Sequence, residues 1–253
     1  MTDQIRLITA AGGNGTAIKI IKRPLTREEY EVQGRVLGER LELAGAEQAG
    51  FLVLNQNHFE MAGGEFCGNA TRSAAVLLSQ IGTQQENLSF TVSGFSGKVH
   101  ATVEQRSSSR FFVHCEFPGL SVNARSVILA DGNPATIVDL GGIVHVVVEA
   151  DFPKDPADYE QAHASIMSQF GLASRAAVGV IWCRQTESEV HIDPVVWVRA
   201  VNTFFYETSC GSGTIAAGYV TGAASVVQPI GHSIQVGFTS DGITLASEME
   251  VVQ

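Results

Sequence analysis

The chain has little positive charge, few cysteines and no long apolar run. Its 253 residues carry 16 Lys and Arg against 26 Asp and Glu, which gives a formal net charge of −10. Since no basic cluster stands out, we expect neither a nucleic-acid partner nor binding to an anionic membrane. No apolar stretch approaches the roughly 20 residues of a membrane-spanning helix. The first residues lack the basic-then-apolar order of a signal peptide.

The low cysteine count excludes a disulfide scaffold. Four cysteines in a chain of this length indicate a reduced, cytoplasmic protein. Cys115 and Cys183 lie within apolar strand patterns, so we expect them to be small buried hydrophobes. With 45% hydrophobic residues, the chain can build the core of one large domain or two of ordinary size.

The other two cysteines lie in two short stretches with the same plan. Residues 65–71 read Glu-Phe-Cys-Gly-Asn-Ala-Thr, and residues 209–214 read Ser-Cys-Gly-Ser-Gly-Thr. Aligned on Cys67 and Cys210, both have Gly next, Thr at the fourth position on and Ala at the seventh. Each stretch opens a predicted helix. The N–H groups of a helix N-terminus bind carboxylates and lower the pKa of a thiol.

Two such thiols around one substrate could remove a proton from one face of a carbon and return one to the other face. This pattern indicates a racemase or epimerase. Without a cofactor to hold the carbanion, the protein must exclude water and surround the substrate carboxylate with donors. Small or polar residues beside the thiols allow that approach: Gly68, Asn69, Gly211, Ser212 and Gly213.

Other uses of these cysteines are less favoured. A disulfide between Cys67 and Cys210 remains open, but the expected compartment argues against it. Zinc would need about four ligands, and neither motif has a C-x-x-C partner or a nearby pair of histidines. A dinucleotide loop would need an acidic residue about 20 positions on, where Gly231 stands. We therefore expect neither a metal nor a cofactor.

Closely spaced turn residues divide the chain into short strands, which favours an α+β fold with mostly antiparallel sheet. Thr26 and Glu29 form a capping-box signature before a helix to about residue 43, with Tyr30, Val36, Leu37 and Leu41 near one face. Further helices are predicted over residues 69–81, ending at Gly82, over 155–170 and over 212–222. Residues 195–205 read as one strand.

The cysteine motifs resemble those of the diaminopimelate epimerase-like family of cofactor-independent racemases, and the resemblance covers most of the chain. Within the family, Glu47-Gln48 and the Cys-Gly-Asn-Ala-Thr form favour the histidine racemases of staphylopine-type metallophore synthesis. The resemblance implies two pseudo-symmetric domains, each a mostly antiparallel sheet curled around a central helix, with the active site in the cleft between them. We place the domains at residues 1–120 and 121–253, the last residues being able to cross back. It also implies a homodimer.

The resemblance assigns a role to each candidate residue. Cys67 and Cys210 would be the acid and base. Asn14 would contact the substrate carboxylate or ammonium. The carboxylate would lie at the two helix N-termini, against Gly68, Asn69, Gly211, Ser212, Gly213 and Thr214. Glu47, Glu65 and Glu207 are candidates to bind the ammonium or an imidazole, and His145 is a further substrate-binding candidate.

Plainer interpretations of several of these residues stay open from the sequence alone. Asn14 could be only a turn residue that tolerates positive φ. Glu65 and Glu207 could be carboxylates placed near helix starts by the helix dipole. His145 could be a core residue.

The substrate expected from the resemblance is free histidine, for opine metallophore synthesis. Diaminopimelate epimerases carry an acid–arginine pair ahead of the second cysteine, and residues 201–207 contain no arginine. Phe204, Phe205 and Tyr206 would suit a flatter or less charged side chain. Diaminopimelate epimerisation or racemisation of another amino acid remains the alternative within the enzymes. A non-catalytic amino-acid-binding module is the rival from another class.

Overall fold

Strands are the commonest regular element of the described residues, and four α-helices lie between them. The computed structural model describes residues 4–81 and 87–252. Within these ranges the helices are α1 (Arg27–Leu41), α2 (Gly68–Ile81), α3 (Pro156–Gln169) and α4 (Gly211–Thr221). The strands of the first half are β1 (Ile5–Ala10), β2 (Gly13–Ile21), β3 (Ala46–Val53), β4 (His58–Met61), β5 (Asn87–Val92), β6 (Phe95–Gln105) and β7 (Arg110–Pro118).

The second half adds further strands, and the α+β expectation is confirmed. These strands are β8 (Asn123–Ile128), β9 (Pro134–Asp139), β10 (Val144–Val148), β11 (Ala177–Gln185), β12 (Val190–Val198), β13 (Thr203–Tyr206), β14 (Ser225–Val227), β15 (Ser233–Phe238) and β16 (Gly242–Val251). Parallel pairs join β2 to β3, β4 to β5, β10 to β11 and β12 to β14. The other pairings among the described strands are antiparallel.

The last strand closes the first half of the sheet and joins it to the second. Strands β1 to β7 pair in chain order, and β16 pairs with both β7 and β1. The first half is therefore a closed ring of strands. β16 also pairs with β15, from which the sheet runs through β14, β12, β11, β10 and β9 to β8. The division of the chain near residue 120 stays a prediction.

Two of the helices are buried and two lie on the outside of the sheet. α2 contacts the ring strands β1, β2, β4 to β7 and β16, and its residues 68–77 are all buried. α4 contacts strands of the second half, and its residues 211–218 are buried. Small residues such as Ala74, Ala75, Ala216 and Ala217 let the strands approach both helices closely. α1 packs against β3, and α3 packs against β11 and β12.

The predicted strand over residues 195–205 is wrong, because the chain turns back in its middle. β12 ends at Val198, and β13 returns antiparallel to it from Thr203. Asn202, with a φ of 49°, is the turn residue that tolerates the left-handed region. Arg199 and Asn202 are polar residues at the turn, but apolar residues surround them and neither glycine nor proline is present, so the pattern favoured one continuous strand.

The buried face of α1 differs from the predicted one. Val36 is 59% exposed, and the buried face of α1 instead consists of Tyr30, Gly34, Leu37 and Leu41. Gly34 fits against Ala62, where a side chain would clash. Gly82, predicted to end α2, lies outside the described residues. Within the described ranges, no helix is both long and apolar enough to cross a bilayer.

The capping box of α1 gives a test of the local structure. The Thr26 hydroxyl accepts from the Glu29 N–H at 3.2 Å, and Thr26 N–H donates to the Glu29 carboxylate at 2.8 Å. Thr26→Ala should lower the free energy of unfolding by about 1 kcal/mol, measured by urea denaturation. Thr26→Ser keeps the hydroxyl and should stay close to wild type. Equal stability of the alanine and serine variants would contradict this.

Candidate active site

The N-termini of α2 and α4 meet at two glycines. A Cβ atom on Gly68 would lie 3.3 Å from the carbonyl carbon of Gly211, and one on Gly211 would lie 3.0 Å from the backbone nitrogen of Asn69. Contacts this close leave almost no room for a side chain at either position. The shared plan of the two motifs therefore brings the two helix N-termini, and the cysteine before each, into one place.

Hydrogen bonds between the halves of the chain hold this contact. The side-chain amides of Asn14 and Asn69 both donate to the backbone carbonyl of Ser209, each at 2.8 Å. Asn14 has a φ of 43°, so it is the turn residue with positive φ that the sequence indicates. Three segments far apart in sequence are thus fixed to one carbonyl oxygen beside Cys210.

Each thiol lies within reach of the first turn of its own helix. The sulfur of Cys67 accepts from the N–H of Ala70 at 3.4 Å, and that of Cys210 accepts from the N–H of Gly213 at 3.2 Å. Cys210 also contacts the hydroxyl of Ser212 at 3.7 Å. All four cysteines are free. Cys115 and Cys183 are buried among apolar residues, as expected.

The expected lowering of the thiol pKa is wrong. Burial raises the pKa of Cys67 to about 12, and the nearby Glu207 carboxylate adds to the shift. The pKa of Cys210 also lies well above its usual value, because of burial first and of Glu207 second. The N–H bonds act in the opposite direction but are outweighed. Both thiols are therefore protonated at neutral pH in this structure, so ionisation needs a base.

Carboxyl groups line a cavity beside the thiols. The cavity, of about 310 Å³, is lined by Glu47, Glu65 and Glu207, and by Gln48, which contacts Cys67. Burial raises the pKa of Glu65 to about 7 and that of Glu207 to about 8. Burial also raises the pKa of Glu47. Glu207 is also close enough to the Cys210 thiol that each group affects the pKa of the other.

Glu47 and Glu65 each present one buried oxygen that no described residue hydrogen-bonds. One oxygen of Glu47 accepts from the hydroxyl of Thr208 at 2.9 Å. Among the described residues, the other oxygen of Glu47 and one oxygen of Glu65 accept no hydrogen bond. These buried acceptors are suited to an ammonium or a ring N–H group, because buried polar atoms are normally hydrogen-bonded.

The remaining cavity wall comes from α1 and from the hairpin of β12 and β13. Phe205 lines the cavity with Val196 and Val198. Phe204 and Tyr206 point to the other face of β13, where their rings pack against His163 and Phe152 respectively. Of the aromatic residues that the sequence suggested for the substrate side chain, only Phe205 lines the cavity.

Other predicted site residues support the motifs or lie apart from the cavity. The hydroxyl of Thr214 donates to the carbonyl of Cys210 at 2.7 Å. The side-chain oxygen of Asn69 accepts from the buried Arg72, whereas that of Asn14 has no partner among the described residues. His145 is fully buried on β10, away from the residues that line the cavity. Burial lowers its pKa to about 3, so the ring is neutral.

Several residues that build the site carried no assignment from the sequence. The side-chain oxygen of Gln48 accepts from the Cys67 thiol at 3.2 Å. The side-chain oxygen of Gln228 accepts from the backbone N–H of Cys210 at 2.8 Å. The pair Glu47-Gln48 was noted only as part of a resemblance, and strand pairing is what brings it to the thiol. Nothing in the sequence indicated that Thr208 or Arg72 would lie in the site. Within the described ranges, no group of three or more His, Cys, Asp or Glu residues could hold a metal ion.

Solved structures with the same fold include proteins of low sequence identity. A predicted epimerase from Pseudomonas aeruginosa matches with a TM-score of 0.64 and 13% identity over 100% of this chain and 98% of that chain. A phenazine biosynthesis protein of the PhzF family from Enterococcus faecalis matches with a TM-score of 0.58 and 16% identity, with the same coverage. At these identities the likeness concerns the fold alone.

Sequence relatives carry the comparison further. The family model of the histidine racemase CntK N-terminal domain matches residues 15–240. Two curated histidine racemases from strains of Fusobacterium nucleatum subsp. nucleatum are each 30% identical to this chain. One aligns over 82% of this chain and 80% of its own length, the other over 74% and 71%. The chain therefore belongs to the histidine racemase CntK N-terminal domain family, and it is an isomerase of the racemase and epimerase class.

Proposed function

We propose that the protein interconverts L- and D-histidine without a cofactor, with Cys67 and Cys210 as the two bases. The observation that carries this proposal is the contact of Gly68 with Gly211, which brings two helix N-termini together, each with a thiol at its first turn. One thiolate removes the α-proton from one face of the substrate, and the opposite thiol protonates the other face. The family match supports histidine as the substrate.

The substrate carboxylate would lie at the two helix N-termini. The first N–H groups of a helix have no partner within it, and the helix dipole favours an anion there. Gly68 and Gly211 let the two helix N-termini come into contact, so that both sets of N–H groups lie in one place. The same N–H groups stabilise the charge that develops on the carboxylate as the α-proton leaves. In this proposal Asn69, with its side chain bonded to Ser209 and Arg72, acts through its backbone.

Glu207 would ionise Cys210. The Glu207 carboxyl group lies close enough to the Cys210 thiol to raise its pKa, so it is the neighbouring base that can take the thiol proton. The Glu207 carboxylate must itself be ionised first. An arriving substrate ammonium beside Glu47, Glu65 and Glu207 favours that ionisation, because an opposite charge at close range stabilises a carboxylate. Substrate binding and thiol activation are thereby coupled.

The imidazole would occupy the cavity beyond the thiols. Glu47 and Glu65 each have an oxygen that accepts no hydrogen bond from the described residues, and Phe205 offers a flat apolar wall. An imidazole presents ring N–H donors and flat apolar faces, which match both features. By analogy with the metallophore-linked histidine racemases, we propose that the D-histidine product serves opine metallophore synthesis.

We also propose that residues 1–120 and 121–253 are two similar domains that share the site. Each half has one buried helix that begins beside a cysteine, α2 and α4. Each also has one helix packed on the outside of the sheet, α1 and α3. The cavity is lined by residues of both halves, which supports an active site between them.

The proposed protonated carboxyl groups predict how stability depends on pH. The folded-state pKa of Glu65 is about 7, above its ordinary value of 4.5, so the folded chain binds more protons between these values. The free energy of unfolding should therefore fall as pH rises from 5 to 8, by up to about 1.4 kcal/mol per pH unit for each such group. Urea denaturation across this range measures the slope. Glu65→Gln should flatten it, and an unchanged slope in that variant would contradict the assignment.

The catalytic proposal is tested with purified protein and single enantiomers. L-Histidine should yield D-histidine, and the reverse, as measured by chiral chromatography without any added cofactor. Cys67→Ser and Cys210→Ser should each lower racemisation by at least about 100-fold, because a hydroxyl is a far weaker acid than a thiol. Cys183→Ser is the matched control, since that thiol lies in the core, and it should keep its activity. Full turnover in either active-site variant would refute the two-thiol mechanism.

A substrate panel separates the alternatives. Arg35 lines the cavity and is a cation that could accept the distal carboxylate of diaminopimelate. Comparison of histidine with diaminopimelate and neutral amino acids therefore tests the choice of side chain. A non-catalytic module would bind an amino acid without interconverting its enantiomers, and binding without turnover across the panel would favour it.

A further inference from the structure

Gln48 connects the Cys67 thiol to a buried hydroxyl group on the neighbouring strand. Its Oε1 atom accepts from the Cys67 thiol at 3.2 Å, and its Nε2 atom donates to the Thr16 hydroxyl at 2.9 Å. Thr16 lies directly opposite Gln48 in the pairing of β2 with β3 and is fully buried. The side-chain amide is therefore held at both of its ends, beside the cavity.

A carboxamide can serve both protonation states of a thiol. Its oxygen accepts from the S–H group, and its NH₂ group can donate to a thiolate. The Thr16 hydroxyl can likewise accept or donate. A half-turn of the Gln48 amide would exchange the two contacts and keep both. The amide can thus remain bonded to Cys67 when the thiol loses its proton and when it regains it.

The two thiols differ in the side chain beside them. Cys210 has a carboxyl neighbour, Glu207, which can take a proton from it. Among the described residues, Gln48 is the side chain that hydrogen-bonds Cys67. The charged or titratable groups that act on Cys67 are Glu65 on its own segment, Glu207 before α4 and Arg72 on α2. Burial first, and then the two carboxylates, disfavour a Cys67 thiolate, and the neutral amide of Gln48 beside the sulfur acts against them.

We infer that Gln48 is a positioning residue that solvates Cys67 both as a thiol and as a thiolate. The inference rests on the proposed function, since each racemisation moves one proton from one cysteine to the other. After a turnover, the cysteine that donated is a thiolate and the one that abstracted is a thiol. The two cysteines must then return to their starting protonation states by proton exchange with solvent. Gln48 stabilises Cys67 in both of its protonation states.

The kinetics of a racemase report this balance. Because the equilibrium constant between enantiomers is one, kcat/KM must be equal in the two directions for every variant. A change in the proton affinity of Cys67 therefore changes the ratio of the two kcat values, and the ratio of the two KM values by the same factor. A bond to a thiolate is roughly twice as strong as one to a neutral thiol. Loss of the amide should therefore favour the thiol form.

Gln48→Met tests the inference, because methionine keeps the length of the side chain and removes both polar groups. We expect kcat/KM to fall, and the ratio of kcat for L to D over kcat for D to L to change by about threefold to tenfold. The pH profile of kcat/KM should also shift to higher pH. A purely structural loss would lower both kcat values by one factor and leave their ratio unchanged.

Thr16 supplies a second, milder pair of variants away from the reacting atoms. Thr16→Val removes the hydroxyl that anchors the amide and should shift the kcat ratio in the same direction as Gln48→Met. Thr16→Ser keeps the hydroxyl and should restore the wild-type ratio. Wild-type ratios in both Gln48→Met and Thr16→Val would overturn this inference alone. Absence of racemisation by the wild-type protein would overturn the proposed function and this inference with it.

Discussion

The site depends on the contact between two helix N-termini at Gly68 and Gly211. Each N-terminus carries a partial positive charge, so two of them in contact repel each other unless negative charge lies nearby. Thiolates, a substrate carboxylate and the surrounding carboxylates are the groups that can supply it. The fold enforces the contact through bonds from Asn14 and Asn69 to the carbonyl of Ser209, and so creates a place that favours anions.

The electrostatics of the site are balanced for a zwitterion. The helix N-termini attract a carboxylate, whereas the cavity beside them holds Glu47, Glu65 and Glu207, whose pKa values are raised chiefly by burial. Buried carboxyl groups and buried thiols keep their protons until an ammonium arrives to compensate the charge. A free amino acid presents both charges at the spacing of one carbon. In the proposed mechanism, burial keeps the thiols protonated in the absence of substrate, and their ionisation depends on the substrate ammonium.

The sequence allowed the local features of this arrangement to be predicted. The Cys-Gly motifs indicated two helix starts, the Thr26–Glu29 box indicated a third, and turn residues indicated short strands. These signals act within a few residues of each other. The turn at Asn202 was not predicted, because a single asparagine between apolar residues, with no glycine or proline beside it, is a weak turn signal.

Features that depend on contacts between distant segments could not be predicted. Gln48 reaches Cys67 only because β2, β3 and the start of α2 are packed together, and Thr208 reaches Glu47 across 161 positions. The direction of the thiol pKa shift was also beyond the sequence. It depends on how burial compares with the helix N–H groups, and burial is a property of the whole fold.

The central claim is that two thiols act on opposite faces of one α-carbon, and racemisation in deuterium oxide tests it most directly. The proton delivered to the product comes from a different cysteine than the one that received the substrate proton. Early in the reaction, the product should therefore carry deuterium at the α-carbon while the remaining L-histidine keeps its hydrogen. Product that retains the original α-hydrogen, or deuterium that appears equally in both enantiomers from the start, would contradict the account.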